Sequence, residues 1–407
     1  MTTPQIYVEN RIPAIDTLRV MAIIVLMFYH HFMIYVPEWG FHYKVETDWV
    51  WLQHLMIITS PWRMGLLWLI SGIALSFMLS KITIPKALLT RSSQLLFPLL
   101  IGVLFIVPPQ LFVEMKQAGE MPLHYGQFTY ALFFDQGALF TNFEPGIWPS
   151  IDVNHLWYLR SLWQFTLLAI IIYPLLRSKL GARCVNVLGA KMPLILVCVF
   201  SLDLLIHYTQ MGNDVREWYG FVWFFTGLLF GRLKNFWAQA SHYAKPLALI
   251  ALVSLLTLQF GYAYVWKDEN ASEWARMTME VLYVLNRAIM PIAVMASIYR
   301  WFNVPYAIIQ RLNPLVFPLY IVHQTLSILV AFSLSYHVPM LTGYQHFSLS
   351  TIAALVTCLM VLMLIERYTV LHPFFGISIK GKSKAFDRRL LAATLCCSVP
   401  IGFEILV

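Results

Sequence analysis

The stretch that decides the fold is Ala14-Ile-Asp-Thr-Leu-Arg-Val-Met-Ala-Ile-Ile-Val-Leu-Met-Phe-Tyr-His-His-Phe-Met-Ile-Tyr35. It is long and apolar enough to cross a bilayer as a helix. Within the apolar run, however, it holds Arg19 and the pair His30 and His31. An ionisable side chain at membrane depth is costly, so these three residues indicate a functional site.

Arg19 and His30 are eleven residues apart, a spacing that returns to nearly the same helical face with a rise of about 16 Å. The helix therefore presents a fixed cation and, half a bilayer higher, a titratable imidazole. His31 is turned about 100° from His30 and is expected to face elsewhere. The alternative is that Arg19 extends to the head groups and His30 makes a polar contact between helices. We favour a functional role for Arg19 and His30 because both lie on the same face of the helix.

The composition is that of a polytopic membrane protein. The 407 residues are 59% hydrophobic and 12% charged, the mean hydropathy is +0.68, and apolar runs of helical length recur along the chain. We predict an all-α transmembrane helical bundle of ten to eleven helices with no soluble domain. The predicted spans are 14–36, 63–80, 92–113, 156–177, 192–210, 217–233, 246–266, 279–300, 314–335, 348–368 and, at the C-terminus, 390–406.

The distribution of lysine and arginine predicts the orientation, since cytoplasmic loops carry the excess. One set of alternate loops holds nineteen: Arg11, Lys81, Lys86, Arg91, Arg177, Lys179, Arg183, Lys191, Arg232, Lys234, Lys245, Arg300, Arg311, Arg367, Lys380, Lys382, Lys384, Arg388 and Arg389. The other set holds five: Lys44, Lys116, Arg216, Lys267 and Arg276. The N-terminus is therefore predicted to be cytoplasmic. The net charge of +8 reflects this topology, and no nucleic-acid module accompanies it.

Several more polar residues are predicted at membrane depth: Arg63, Arg160, Arg287, Asp203, His207, His323 and Glu366. Each alone fits a hydrogen bond between helices, but together they favour a wet internal cavity. Asp203 and His207 are one turn apart and leave a second hypothesis open, a proton-coupled transporter. The chain has no zinc-type ligand spacing and no glycine-rich phosphate loop, so no metal or prosthetic group is predicted.

Five stretches, in order, resemble the membrane acyltransferase 3 family. They are Asp16-Thr-Leu-Arg19 followed by His30; Leu69-Ile-Ser-Gly72; Arg91 with Pro98; Asn154-His-Leu-Trp-Tyr-Leu159; and Leu319-Tyr-Ile-Val-His323. The resemblance covers residues 12 to 375 and is closest to the glucans biosynthesis protein C branch, which puts succinyl groups on periplasmic glucans. It implies a membrane acyltransferase domain over 1–376. The basic residues and the apolar run that follow predict a basic cytoplasmic segment and an additional C-terminal transmembrane helix over 377–407.

The resemblance also implies roles for individual residues. His30 is the expected general base, with His323 orienting it or serving as the base itself, because a neutral imidazole accepts a hydroxyl proton near physiological pH. The resemblance implies acyl-CoA as the donor, and its phosphates or thioester suit four basic residues: Arg19, Arg63, Arg91 and Lys86. His155 and Trp157 are expected to hold the acceptor. Arg287, like Arg63, is expected to pair with a succinyl carboxylate.

One departure from the family pattern affects the donor site. The family usually repeats arginine three residues after Arg91, and this chain has Gln94 there. Lys86 or Lys81 is the candidate replacement. The expected activity is transfer of a succinyl or acetyl group from cytoplasmic acyl-CoA to a hydroxyl of a periplasmic or cell-surface glycan. The expected location is the bacterial inner membrane, and the expected partners are lipid, acyl-CoA and the glycan.

Overall fold

The computed structural model describes residues 7–8, 11–134, 140, 153–211 and 213–377. These residues form helices, and the β-structure among them is one isolated bridge between Tyr7 and Leu233. The all-α prediction is therefore confirmed. The predicted helix at 390–406, and the basic segment from residue 378 onward, lie outside the described residues.

The helices are numbered in chain order, and their bounds are α1 Pro13–Met33, α2 Val50–Ile57, α3 Arg63–Lys81, α4 Ile84–Ile101, α5 Pro108–Gln117, α6 Tyr125–Phe134, α7 Trp157–Arg177, α8 Lys179–Gly189, α9 Met192–Thr209, α10 Asn213–Phe230, α11 Lys234–Gly261, α12 Glu273–Phe302, α13 Ala307–Leu312, α14 Val316–His337 and α15 Gly343–Arg367. Short 3₁₀ segments, which introduce or follow some of these helices, are Asn154–Leu156, Asn313–Leu315 and Thr369–Phe375. Two π-helical turns follow α4 and α11, at Gly102–Ile106 and Tyr262–Trp266.

Nine helical segments among the described residues are long and apolar enough to cross a membrane, which confirms a multi-pass membrane protein. A tenth predicted span, 217–233, corresponds to α10. That helix has 18 residues, and its first turns hold Asp214, Arg216 and Glu217, which lower its hydropathy.

The span predicted at 92–113 is longer than expected and is broken. It runs over Ile84–Gln117 as α4, the π-helical turn and α5. Pro98 lies within α4, and Pro108 begins α5, where its missing N–H costs nothing. The π-helical turn releases the carbonyl of Ile106, which accepts a hydrogen bond of 2.8 Å from Thr325 Oγ1. The break therefore supplies a polar contact that a regular helix would lack.

One compact unit of the chain comprises residues 1–25, 54–87 and 165–313. In this unit α3 packs against α10 through glycines. A Cβ on Gly72 would meet the carbonyl oxygen of Phe224, and a Cβ on Gly227 would meet that of Leu69. Backbones that approach so closely are typical of membrane helices that meet at small residues. The Leu69–Gly72 stretch thus owes its glycine to packing.

The second unit comprises residues 26–53, 88–164 and 314–407. Its described part pairs α14 with α15 and packs α5 against α14. The C-terminal half of α1, which carries His30 and His31, belongs to this unit. So does the centre of α14, where Tyr320, His323, Gln324 and Ser327 are all buried. Polar side chains so concentrated in one membrane helix mark the candidate functional site.

Candidate functional site

His30 and His323 lie together in the second unit. Nδ1 of His30 is 2.8 Å from Nε2 of His323, and the two rings stack with centroids 5.1 Å apart and an interplanar angle of 12°. His323 is fully buried, and His30 is half-buried. The helix α1 is continuous, so the prediction that Arg19 and His30 lie on one helix is confirmed.

The backbone of α14 decides which nitrogen of each histidine carries a proton. Nδ1 of His323 is 2.8 Å from the carbonyl oxygen of Tyr320 and 3.1 Å from that of Leu319. A carbonyl only accepts, so Nδ1 of His323 must donate, and its Nε2 holds the lone pair in the neutral ring. Nδ1 of His30 therefore donates to His323, and the lone pair of His30 is on Nε2. This arrangement prepares His30 Nε2 to act as a general base.

The segment that follows α1 places an aromatic ring beside His30. Phe41 stacks with His30 at a centroid distance of 6.3 Å and an interplanar angle of 23°. Lys44 holds this segment, since its ammonium donates to the carbonyls of Met33 at 2.8 Å, of Val36, and of Trp39 at 2.9 Å. Burial lowers the pKa of Lys44 to about 8. The segment after α1 thus packs Phe41 against His30, and the ammonium of Lys44 that holds the segment is partly desolvated.

His155 lies directly behind His323. Their ring centroids are 5.7 Å apart at an angle of 89°. Nε2 of His155 donates to the carbonyl of Ile321 at 2.9 Å, so Nδ1 is left to accept from Gln110 Nε2 at 3.3 Å. Both ring nitrogens are therefore engaged within the protein, as in a residue that positions its neighbours. The predicted contact between His155 and the acceptor stays a prediction.

A network of neutral polar side chains surrounds His155. Gln110 donates to Thr325 Oγ1 at 2.5 Å, and Gln324 Nε2 donates to Gln110 Oε1 and to Asn154 Oδ1, each at 2.9 Å. Asn154 has φ +47°, a left-handed conformation that asparagine tolerates better than most residues. Unusual backbone and a satisfied buried network together are typical of a functional site whose geometry is fixed in advance.

His31 faces away from His30, as predicted. Its Nε2 lies 3.1 Å from Thr351 Oγ1 and 3.3 Å from Ser350 Oγ, both on α15. Ser350 also bonds the hydroxyl of Tyr35, which is 2.9 Å from Nδ1 of His346. His31 is buried to 2% exposure. It therefore joins α1 to α15, whereas His30 is directed to α14.

Arg287 is held by an ion pair in the first unit. Its Nε and Nη2 donate to the two carboxylate oxygens of Asp203 at 2.8 and 2.5 Å, and its guanidinium lies 4.7 Å from the ring centroid of Tyr219. A substrate carboxylate at Arg287 would have to compete with Asp203. The same pair bears on the transporter hypothesis, because Asp203 is committed to a cation, while His207 Nε2 lies 3.9 Å from Glu280.

The other predicted residues are placed as follows. Arg19, Arg63 and Lys86 belong to the first unit, and Arg91 and Trp157 to the second. Lys86 is exposed, and the remaining four are half-buried. Nη1 of Arg63 donates to the carbonyl of Ser60 at 3.1 Å. Their contacts with a donor or an acceptor stay predictions.

Gln110, Gln324 and Thr325 are part of the site but are not among the residues predicted from the sequence. The available signal was the polarity of these side chains in apolar membrane segments, with Gln324 and Thr325 directly following His323. The contact of Phe41 with His30 could not be predicted in this way, because aromatic residues are common in loops at a membrane interface. Among the described residues, no group of three or more acidic, cysteine or histidine side chains is arranged to hold a metal ion.

Comparison with protein families gave one match. The model of the acyltransferase 3 family, described as an acyltransferase domain, matches residues 12–367. The match includes every helix from α1 to α15 and all the residues of the histidine site. Comparison with curated proteins and with solved structures gave no match.

Proposed function

Because the chain belongs to the acyltransferase 3 family and is a membrane acyltransferase, we propose that it moves a succinyl or acetyl group from acyl-CoA to a hydroxyl of a glycan. The observation that carries this proposal is the bond from His30 Nδ1 to His323 Nε2. It leaves His30 Nε2 as the basic nitrogen, in the half-buried side chain that the resemblance marks as the base.

The chemistry needs one base and one acid in turn, and His30 serves as both. Its Nε2 takes the proton of the acceptor hydroxyl while the hydroxyl oxygen attacks the thioester carbon. The C–S bond then breaks, and the same nitrogen returns the proton to the CoA thiolate. No proton is gained or lost overall. During the step His323 accepts the Nδ1–H of the imidazolium and so stabilises its positive charge, as the third member of a nucleophile–base–orienter arrangement does.

The donor is proposed to be held by the basic residues. A CoA thioester carries several phosphate charges, and guanidinium groups match phosphate by paired hydrogen bonds. Arg19, Arg91 and Lys86 are the proposed phosphate or thioester partners, and Arg63 the partner of a succinyl carboxylate. Lys86 or Lys81 is the proposed substitute for the arginine that the family has at the position of Gln94.

The acceptor is proposed to be a periplasmic or cell-surface glycan. Support comes from tryptophans predicted to lie at or beyond the outer membrane interface, Trp39, Trp49, Trp51, Trp266 and Trp274, because flat apolar sugar faces stack on aromatic rings. Trp157, at the start of α7, is predicted to lie at the same interface. The lysine and arginine distribution supports a cytoplasmic N-terminus and hence a cytoplasmic donor. The bacterial inner membrane is the compartment that fits both substrates.

A direct test uses the full chain in sealed vesicles with succinyl-CoA, acetyl-CoA and a glycan acceptor, and measures acylated glycan by mass spectrometry. His30→Ala is expected to abolish transfer, with membrane insertion unchanged. His31→Ala is the matched control, because its imidazole faces α15, and it is expected to keep activity. A fully active His30→Ala protein would exclude His30 as the base. Acceptance of neither acyl-CoA would exclude the proposed donor.

A further inference from the structure

A cavity of about 470 Å³ lies within the first unit and shares no residue with the histidine site. Its wall includes the ends of α3, α7 and α10, and part of α8. The polar residues that matter are Arg177, Arg232, Tyr7, Tyr173, Ser76 and Ser80. The volume suits a ligand of drug size, such as a nucleotide or a lipid head group.

The charge of this wall is positive and uncompensated. Two of its lining residues are arginines, and none of the residues lining it is acidic. Nε of Arg232 is buried and makes no hydrogen bond within the described part of the chain. Buried donors in proteins are nearly always satisfied, so this donor calls for a partner other than those that the described residues supply. An anion in the cavity would be that partner.

Both guanidinium groups are already held in place by aromatic rings. Cζ of Arg232 lies 5.0 Å from the ring centroid of Tyr7, and Cζ of Arg177 lies 5.9 Å from that of Tyr173. The Tyr173 hydroxyl donates to the carbonyl of Leu79 at 3.1 Å, which fixes its ring. A guanidinium stacked by its face keeps its N–H edge for paired hydrogen bonds, the geometry that phosphate oxygens match.

The helix ends add smaller charges of both signs. The C-termini of α3, α7 and α10 carry partial negative charge that opposes an anion, each roughly half an elementary charge that fades within one turn. The N-terminus of α8 contributes the opposite sign. Ser178 caps it by accepting from Gly181 N at 3.1 Å, and Ala182 of its first turn lines the cavity. The two full guanidinium charges on the wall outweigh these partial charges, so the electrostatic potential in the cavity is positive.

The helix α8 places this cavity at a membrane surface. It has eleven residues, with Leu180 and Val187 exposed to 74% and 52%, whereas Lys179 and Arg183 supply basic charge. Exposed apolar and basic residues on one short helix are typical of a helix that lies in the interface of a bilayer. Phosphate groups reach this level from two sources, lipid head groups and water-soluble nucleotides.

We propose that the cavity between Arg177 and Arg232 is a binding site for a phosphate group. The site is separate from the four basic residues expected to hold the donor. If the phosphate belongs to a phospholipid, the site stands independently of the proposed function. If it belongs to coenzyme A, the inference rests on the proposed function and adds a further anchor for the donor.

The test measures binding without turnover, so its failure is distinguishable from failure of the acyltransferase proposal. The full chain in detergent is titrated with adenosine 3′,5′-bisphosphate, the phosphate-bearing end of coenzyme A, by calorimetry. It is separately titrated with phosphatidylglycerol, and bound lipid is counted by native mass spectrometry. Ser80→Asp is the principal variant, since it adds a carboxylate to the wall that holds the two arginines. Ser80→Asn is its matched control and adds no charge.

Ser80→Asp is expected to lower the affinity for one of the two probes about tenfold or more. A loss of this size is the effect of losing charge-assisted hydrogen bonds. Arg232→Gln is the second variant and is expected to do the same, while Arg183→Gln, an exposed arginine of α8 outside the wall, leaves binding unchanged. Weaker bisphosphate binding identifies a nucleotide source, and weaker phosphatidylglycerol binding identifies a lipid source. The inference is overturned if the wild-type chain binds neither probe, or if both variants bind both probes as the wild type does.

Discussion

Nδ1 of His30 and Nε2 of His323, 293 residues apart along the chain, lie 2.8 Å from each other. The contact brings α1 and α14 together at two imidazoles whose protonation is decided by main-chain carbonyls. It separates two roles that the sequence left open, because His323 has its Nδ1 occupied and its Nε2 turned to His30. The geometry therefore supports the proposal that His30 is the base and His323 its positioning residue.

This assignment predicts different effects for two changes at position 323. His323→Leu removes the acceptor of the His30 Nδ1–H and is expected to lower kcat about 100-fold, in the range that general-base catalysis contributes. His323→Gln offers an oxygen in place of Nε2 and is expected to restore part of the rate. The KM for acyl-CoA should change little in both. Equal loss of activity in both variants, with normal folding, would contradict the positioning role.

The ion pair between Arg287 and Asp203 predicts a stability effect. Asp203→Asn leaves a buried guanidinium without its counter-charge and is expected to cost about 3–5 kcal/mol of unfolding free energy. The double variant Asp203→Leu/Arg287→Met removes both charges and is expected to recover most of that loss. Thermal unfolding in detergent measures both. A double variant no more stable than Asp203→Asn would mean that the charges are not coupled.

The same double variant also tests the predicted acyl-chain contact of Arg287. If Arg287 binds a succinyl carboxylate, the double variant should raise the KM for succinyl-CoA and leave that for acetyl-CoA unchanged. Equal KM values for succinyl-CoA in the double variant and the wild type would remove Arg287 from the substrate site.

Lys44 predicts a pH dependence of stability. Its pKa in the folded protein is lowered to about 8 from 10.5, so between these values the unfolded chain binds the extra proton. The contribution of Lys44 to stability should therefore rise as the pH increases from about 8 to 10.5. As the pH rises through this window, the melting temperature of the wild type should increase relative to that of Lys44→Gln. A difference that falls instead would show that the three carbonyl hydrogen bonds outweigh desolvation.

The contact between α3 and α10 predicts which glycines tolerate a methyl group. Gly227→Ala would place its Cβ against the Leu69 carbonyl and is expected to destabilise the protein by about 1–3 kcal/mol. Gly126→Ala is the matched control, because nothing lies within 4 Å of its Cβ position. It is expected to be neutral or slightly stabilising. Equal melting temperatures for the two variants would contradict the packing of α3 on α10.

The sequence was sufficient for the class of fold and the family, because both depend on local patterns. Apolar runs give helices, and Arg19 and His30 share a face by spacing alone. It was insufficient for contacts between distant helices. Nothing in the sequence pairs Arg287 with Asp203, or Gln110 with Thr325, which is 215 residues away. Such choices are made by packing rather than by propensity.

The two carbonyls that orient His323 belong to Leu319 and Tyr320, and every amino acid supplies the same carbonyl. Substitutions at these two positions can therefore alter shape and polarity around the site while the direction of the His30–His323 hydrogen bond is preserved. The orientation of His323 therefore depends on the main-chain course of α14 and on the imidazole of His323 itself. It is accordingly tolerant of sequence drift in a way that a side-chain orienter would not be.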